Sequence, residues 1–488
     1  MLRFLLLAAA TVVTAWGQVA SSVLAGVVRD SSSAVAPGVR VRAIDQASGF
    51  SQTALSGPDG LYLLGDLRPG SYSVSAEKDG FRSVIVSGVA LAVGQRGRLD
   101  FELTPGSAPQ SITIASSVSP LEAGDASIGY RTEYSSLAGL PLLGRNVVAL
   151  VTLGPGAVPR NLGGYVHDDV NDVQAVRGAV ILNPSIHGAR PYANRHLLDG
   201  ALDTDQNAFA IAVTPPLESV QEFRIITSLP SAEFPQGGGG VVNIVTRSGG
   251  RDFHGSGFEF FRNEVTDARN FFDAPSLPRP IVRRNQFGGS LSGPLPLPRS
   301  FFFATYEGLR DKSAKSSLSI VPDAALRSGD FRGGNPIFDP LNLDLSTGLR
   351  RPFAGNVIPA ARIDSIASRF LGLFQPLPNN PGATSNYLDA TPNLNTDDNL
   401  SGRIDHEFPN HNRLFGRYTF NGERGTVAGF FPLLPSSQRL RAQQAALGYT
   451  AAQASWINEI RFSFTRFRVF SVPQSAFKNN IAKELGIN

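Results

Sequence analysis

The sequence predicts a mainly β, multi-domain protein: a small β-sandwich, an α+β unit, then the first strands of a transmembrane β-barrel. Three observations predict this. From residue 252 onward, segments of about ten residues set an apolar or aromatic face against a polar one, as outer-membrane barrel strands do. The links between these segments alternate long and short. Ahead of them, short alternating strands are cut by turn residues at the spacing of a sandwich.

The bulk numbers agree. A chain of 488 residues is too long for one ordinary core, which suggests two to four units. Apolar residues make up 42% and charged residues only 17%, against disorder and unlike a soluble cytosolic enzyme. The net charge of +4 is carried by arginine, since only five lysines occur. No basic stripe has the density of a phosphate-backbone surface, so no nucleic-acid partner is expected. There is no cysteine, hence no disulfide, thiolate metal site or cysteine nucleophile.

Residues 1–17, within "MLRFLLLAAATVVTAWGQ", have a basic Arg3, an apolar run from Phe4 to Ala15 and small residues at Ala15 and Gly17. This is a signal-peptide layout with cleavage expected before Gln18. The run is too short for a spanning helix, which needs about 20 residues. No later segment offers one. If the mature chain crosses a membrane, it does so with paired strands, because lipid leaves open strand edges unsatisfied.

Residues 18–104 supply "LAGVVRD", "GVRVRAID", "GLYLLGDLRPGSYSVSAEKDGF" and "GRLDFELTPG", with strong turn chemistry at Pro58–Gly60. They read as a small sandwich. Residues 105–120 are a linker with one β-prone tetrad, Ile112, Thr113, Ile114 and Ala115. Such a tetrad is either plain tether or a segment able to add to a partner's sheet edge. Residues 121–248 form a mixed α+β unit with a helix expected over about 145–153, stopped by Gly154 and Pro155. The run Gly237, Gly238, Gly239 and Gly240 precedes "VVNIV" and reads as a hinge.

Residues 249–488 carry seven two-faced segments. Phe258 and Phe260 alternate with Gly257 and Glu259, and Phe287, Gly289 and Leu291 with Gln286, Gly288 and Ser290. "FFFATYEGL" follows. Then come Leu400 to His406, Leu414 to Phe420, "QQAALGYTA", and Ile460 to Phe464. The apolar set is expected to face lipid. The links run long (264–284), short, very long (310–397), short, long (422–441) and very short. Membrane barrels have short periplasmic turns and long outward loops.

Chemical motifs are sought and rejected. "DTDQNA" at 203–208 starts like a calcium loop but has Ala208 where glycine is needed and Thr214 in place of the bidentate glutamate. "HDD" at 167–169 lacks companions at ligand spacing. "SAFK" at 475–478 has no supporting motifs. The glycine run is followed by a strand and no lysine, so it is not a phosphate loop. No enzymatic activity and no cofactor are expected.

Two resemblances add to this reading. "SGPDGLYLLGDLRPGSYSV" with "KDGF" resembles the carboxypeptidase regulatory-like family, which implies a seven-stranded, transthyretin-like sandwich without catalysis. "SIHGARPYANRHLLDGALDTDQN", residues 215–273, "RRNQFGGSLSGPL", "FFFATYEGLR", "NVIPAARID" and "RIDHEF" resemble the TonB-dependent receptor family, its Oar-like branch. That resemblance implies a plug domain, here about 121–248, inside a 22-stranded barrel in the outer membrane. It also implies a TonB-type inner-membrane complex that pulls on a TonB box, for which Ile112–Ala115 is the candidate. An extracellular substrate would meet plug apices and outer loops, with Tyr192, Asn194, Asp203, Asp205 and Asn207 as the ligand-facing candidates. Only seven strands are counted here, so a longer protein is expected. The family implies energised uptake. The alternative is a surface interaction or adhesion protein without import, suggested by the sandwich and the long 310–397 loop.

Overall fold

The computed structural model describes residues 21–106, 112–115, 127–158, 184–269 and 279–487. Excepted within these are 138, 141, 143–144, 206–209, 231–233, 235–237, 315–316, 381–384, 390, 410–411, 428–435, 453–456 and 474–475. The leader reading of 1–17 falls outside the described residues.

The sandwich comprises β1 (Ser22–Asp30), β2 (Arg40–Asp45), β3 (Ser51–Leu55), β4 (Leu61–Leu67), β5 (Gly70–Glu77), β6 (Val84–Leu91), β7 (Arg96–Arg98) and β8 (Phe101–Leu103). A further strand, β9 (Ile112–Ala115), joins it. One sheet pairs β4, β1 and β7, with β8 also on β1; the other runs β3-β2-β5-β6-β9. Alternation along β1 and β5 puts Leu24, Val28, Tyr72 and Val74 between the sheets, all fully buried. The turn before β4 needs glycine: Gly60 has φ +74°, and a Cβ there would lie 2.7 Å from the Val28 carbonyl oxygen.

The central unit holds β10 (Ile128–Glu133), β11 (Ala157–Val158), β12 (Ser185–Ile186), β13 (Arg195–Leu198), β14 (Ala201–Leu202), β15 (Val220–Ser228) and β16 (Val241–Thr246). Its main sheet runs β10-β15-β16-β13-β14, with β13 and β16 parallel. Phe223, Ile225, Val242 and Ile244 pack on Val147, Leu150 and Val151. The helix expected over 145–153 is a 3-10 helix, Val147–Leu153, whose Asn146 side chain accepts from the Val148 amide and which ends at Gly154.

The third unit is one antiparallel sheet of seven strands, β17 (His254–Asn263), β18 (Val282–Pro294), β19 (Ser300–Ser313), β24 (Asn393–Glu407), β25 (Arg413–Val427), β26 (Ser436–Ala452) and β27 (Ile457–Pro473). Strands β20 (Ser317–Ser319), β21 (Phe338–Asp344), β22 (Leu349–Pro352) and β23 (Tyr387–Asp389) belong to the long excursion between β19 and β24. The sheet is open between β17 and β27, an incomplete barrel. One face buries Gln286, Glu307, Ser401, Arg403, Asp405, Arg417, Thr419 and Gln444. The other exposes Leu291, Tyr306, Leu400, Ile404, Tyr418, Leu447, Phe462 and Phe464. Apolar outside and polar inside is the arrangement lipid demands.

Two expectations are corrected. The strands of the second half are longer than about ten residues: β26 and β27 have 17 each. The link read as 422–441 therefore shrinks to 428–435, because pairing continues through polar rows beyond the apolar band. Phe258 and Phe260 do not face outward. They share the inner side with Gln286 and Gly288, their direct partners, while Gly257, Glu259 and Phe261 face outward. The Arg145 guanidinium sits 4.1 Å from the Phe258 ring and 4.8 Å from the Phe260 ring, and this contact selects the inner side.

Leu24 and Leu63 lie one on the inner and one on the outer side of the sandwich, fully buried and 61% exposed. Leu24→Ala should cost about 2–5 kcal/mol, and Leu63→Ala less than about 0.5 kcal/mol. Amide hydrogen exchange across β1, β4 and β5 measures both, and equal protection in the two variants would refute this core.

Candidate functional site

The inner face of the sheet carries charge into the interior, and the central unit answers it. The hairpin between β13 and β14 turns through Asp199 (φ +50°) and Gly200 (φ +71°), the Asp-Gly pair that suits a two-residue turn of this hand. The turn fixes the Asp199 carboxylate, which accepts from the Thr246 amide and from the Thr246 hydroxyl, both at 2.8 Å. Two strand arginines converge on it: Arg403 Nη1 donates to Oδ1 at 3.0 Å, and Arg417 Nε lies 2.6 Å from Oδ2. Burial alone would raise the Asp199 carboxyl, but Arg403, Arg417 and the Thr246 hydrogen bonds outweigh it and hold it below the usual carboxylate range.

The network extends in both directions. Arg403 Nε also donates to Asp405 at 2.9 Å. Asp405 further accepts from Ser248 at 2.8 Å and from Arg68 of the sandwich at 2.9 Å. Arg413 of β25 pairs with Asp66 of the sandwich. Higher up, Gln444 donates to the Leu202 carbonyl at 3.1 Å, and Asn421 both donates to and accepts from the Thr214 backbone. At the β17 side, Arg145 pairs with Glu218 and reaches Glu307 at 3.5 Å. Sandwich, central unit and strands thus meet through buried hydrogen-bonded charge. The sandwich meets the sheet at the end where the connections 295–299, 408–412 and 453–456 are short.

A second contact joins sandwich and central unit. Val93 donates its amide to Glu222 Oε2 at 2.8 Å, and Arg224 donates to the Val93 carbonyl at 2.9 Å. Burial pushes the Glu222 carboxyl up to about 7.

The candidates from sequence are placed as follows. Ile112–Ala115 forms β9, which pairs in parallel with β6 from Val84↔Ile112 to Ser87↔Ala115 and is the last strand of its sheet. Of the glycine run, Gly237 lies outside the described residues. Gly238, Gly239 and Gly240 do not sit at the junction with the barrel strands: β16 follows them, and the passage to β17 is residues 247–253. A Cβ on Gly239 would lie 2.3 Å from Asn194 Oδ1, and one on Gly240 2.5 Å from Ile186 Cδ1. These two glycines permit close packing and are not a free hinge. Asn194 is buried, accepts from the Gly240 amide at 3.0 Å and donates to the Pro184 carbonyl at 2.9 Å. Asp203 is buried and accepts from the Val213 amide at 3.0 Å; Asp205 is buried beside Ala210. Tyr192 alone of this group is exposed, with Arg190 donating to its hydroxyl at 3.2 Å, and Asn207 lies outside the described residues. Sequence reasoning missed Asp199, whose signal was the Asp-Gly pair after the apolar "HLL". Among the described residues no cluster of three or more metal-ligating side chains occurs.

A polar-lined wall of two-faced strands, locked by buried ion pairs onto a mixed unit, defines a barrel protein of the outer membrane. Residues 245–488 match the outer membrane beta barrel domain family, and the chain belongs to it. Residues 23–104 match the carboxypeptidase regulatory-like domain. The chain is 27% identical over 304 residues to the TonB-dependent transporter Oar of Myxococcus xanthus, covering 59% of this chain and 26% of that protein. It thus spans about a quarter of the length of that relative. Among solved structures it is similar to the outer membrane transporter YddB of Escherichia coli, at 12% identity and TM-score 0.42 over 69% of this chain and 38% of that one. It is also similar to the siderophore receptor PirA of Pseudomonas aeruginosa, at 12% identity and TM-score 0.29 over 71% and 51%.

Asp199→Ala removes the carboxylate from buried Arg417 and leaves Arg403 with Asp405 alone, and should destabilise the seating of the central unit by about 3–5 kcal/mol. Hydrogen exchange of β13 and β16 reports it, and wild-type protection there would refute the interlock. Glu222 gives a pH dependence. Its folded value lies above the ordinary one of 4.5 because burial outweighs the Val93 hydrogen bond, so the folded state favours the protonated form. The stability of the fold that buries Glu222 is highest below about pH 4.5, falls as pH rises toward about 7 and levels off above it. Glu222→Gln should flatten this dependence, read as intrinsic-rate-corrected exchange of the 92–95 amides at pH 5 and pH 8.

Proposed function

We propose that the protein is a TonB-dependent outer-membrane receptor that takes up an extracellular substrate with energy supplied from the inner membrane. In this reading residues 18–104 are a regulatory-like sandwich, 105–120 a linker, 121–248 a plug and 249–488 barrel strands. The observation that carries it is the set of buried ion pairs holding the central unit against the strands' polar inner face. A unit seated there blocks a lumen, and ion pairs and hydrogen bonds can be exchanged for water when it moves. The similarity to Oar supports the same class. No residue of the outer loops or the central unit specifies an iron chelate, a glycan or a peptide.

Ile112–Ala115 is the proposed coupling segment. Among the described residues no strand pairs with β9 on its side away from β6, and that edge is the surface to which an incoming strand of a TonB-type partner adds. A pull on it transmits first to the sandwich sheet and then, through Val93, to Glu222 of the central unit. The cysteine-free background makes this testable. Thr113→Cys should form a disulfide with a cysteine-substituted periplasmic domain of the partner, and Thr53→Cys on β3, at the far edge of the same sheet, should not. Cross-linking at β3 with none at β9 would overturn the assignment.

One observation favours adhesion as a second reading. The β21–β22 hairpin exposes Leu341 at 82% and Leu345 at 90% on the long-loop side. If that role dominates, deleting residues 338–352 abolishes cell–cell or surface attachment while partner cross-linking at β9 is absent.

A further inference from the structure

The inner face of the sheet turns acidic just above the seat of the central unit. Paired residues in antiparallel strands share a side, so the register orders the inward side chains into rows. Across β19, β24, β25 and β26 one row reads Glu307, Asn399, Asn421 and Ala442. The next, about 6.8 Å nearer the long-loop end, reads Leu309, Asp397, Glu423 and Leu440. Above it stand Asp311, Asn395, Gly425 and Gln438. The lowest of the three rows is tied to the central unit. Asn421 Nδ2 donates to the Thr214 carbonyl at 2.8 Å and to Asn399 Oδ1 at 2.6 Å. Asn399 Nδ2 in turn donates to Asp397 Oδ2 at 2.9 Å. Ala212 and Val213 pack beside this relay on Leu440 and Ala442.

Asp397 and Glu423 are direct partners on neighbouring strands. Like charges placed so, with Cβ atoms about 5 Å apart, repel. The arginines around them are engaged elsewhere. Arg310 takes Asp398 at 2.7 Å, Arg284 lies 3.7 Å from Asp311, and Arg145 serves Glu218 and Glu307. Among the described residues none pairs with Asp397, and its Oδ1, shut off from solvent, accepts no hydrogen bond. A second group points to the same place. Gln438 is only 1% exposed. Its Nε2 lies 3.5 Å from Ser471 Oγ on the β27 side, which turns Oε1 toward β25, where it accepts no hydrogen bond. Gly425, with no side chain, stands between Gln438 and Asn395, and a Cβ there would lie 3.3 Å from Asn395 Oδ1. The bare glycine leaves a hollow rimmed by the Asn395 and Gln438 amides above and the Asp397 and Glu423 carboxylates below.

A buried carboxylate oxygen and a buried amide oxygen without donors each destabilise the fold, and a cation between them offsets both. We propose that this hollow binds a calcium ion through the carboxylates of Asp397 and Glu423 and the amide oxygens of Asn395 and Gln438. Among the described residues no third acid and no histidine joins the two carboxylates, so the donors are hard oxygens, two charged and two neutral. Two carboxylates neutralise a divalent ion. Calcium accepts amide oxygens in an irregular shell completed by water, whereas magnesium demands a tight octahedron and softer metals prefer nitrogen or sulfur. The ion clamps β24, β25 and β26 together one row above the relay from Asp397 through Asn399 and Asn421 to Thr214. By fixing Asp397 it steadies the relay, and with it the hold on residues 211–216 of the central unit. The site belongs to the wall and its contact with that unit, and is independent of uptake.

The test is hydrogen exchange of the full-length protein, extracted in detergent, stripped with a chelator and titrated with calcium chloride, magnesium chloride or spermidine. With only two acids, half-saturation is expected at about 0.1–1 mM calcium, the range of extracellular calcium modules. Calcium should slow exchange of the 395–399 and 421–425 amides and of residues 211–216, and magnesium at the same concentration should do so much less. Asp397→Asn/Glu423→Gln should abolish the calcium response. That variant also removes the like-charge repulsion, so in chelator it should be at least as protected as wild type, which shows that it folds. Asp339→Asn/Asp344→Asn in the outer excursion should leave the response intact. No calcium response in wild type up to about 10 mM, a concentration well above that range, overturns the site. That comparison needs no variant. An unchanged response in Asp397→Asn/Glu423→Gln places the ion elsewhere and overturns it too. Equal protection by magnesium, or by spermidine in place of calcium, overturns the calcium assignment.

Discussion

A buried guanidinium cannot shed its proton, and most of this architecture follows from that. Arg403 and Arg417 sit on neighbouring strands, inner side, out of water. Each must find an anion or unfold the region around it. Asp199 serves both, and it does so only because a two-residue turn holds its backbone in the left-handed region and Thr246 fills its remaining acceptor sites. The register between the central unit and the strands is thereby set to within one residue. A slip of one position on β24 would carry Arg403 to the outer face and bring Gly402 or Ile404 inward.

The same logic explains why the sandwich docks where it does. Asp405 has more acceptor capacity than Arg403 uses, and Arg68 and Ser248 fill it. Arg413, one strand over, needs Asp66. Polar networks of this kind add little net stability compared with apolar packing, but they penalise every wrong arrangement. They are well suited to parts that must seat in one position and still separate without exposing a greasy surface.

Much of this was legible in the sequence. Period-two alternation exposed the two-faced strands, and Pro, Gly and Asp clusters marked the turns of the sandwich. What stayed hidden has physical reasons. Phe258 and Phe260 alternate as lipid-facing residues do, but alternation does not say which side is in, and Arg145, more than a hundred positions away, decides it. The glycine run before Val241 signalled freedom, whereas Gly239 and Gly240 are there for closeness to Asn194 and Ile186. Asn194, Asp203 and Asp205 read as a ligand-facing polar loop, but all three are buried: Asn194 holds the Gly240 amide and the Pro184 carbonyl, and Asp203 the Val213 amide. The pairing of β9 with β6 is parallel and non-local, so no turn chemistry announces it.

The two faces of the sheet put the same side chain to opposite uses. Inside, Arg403, Arg413 and Arg417 meet carboxylates of the central unit, the sandwich and their own sheet, so their charge acts over a few ångströms and specifies position. Outside, Arg441 and Arg468 form no salt bridge among the described residues and lie over the Phe420 and Phe470 rings. A folding argument alone does not account for the second set: replacing it with apolar residues would extend the lipid-facing band at no cost to strand pairing. Strands that continue in register through Arg441 and Arg468 hold the charges at a fixed height above the apolar band. A fixed height is of use only against a layer that is itself at a fixed height, and the headgroup layer of a bilayer is one.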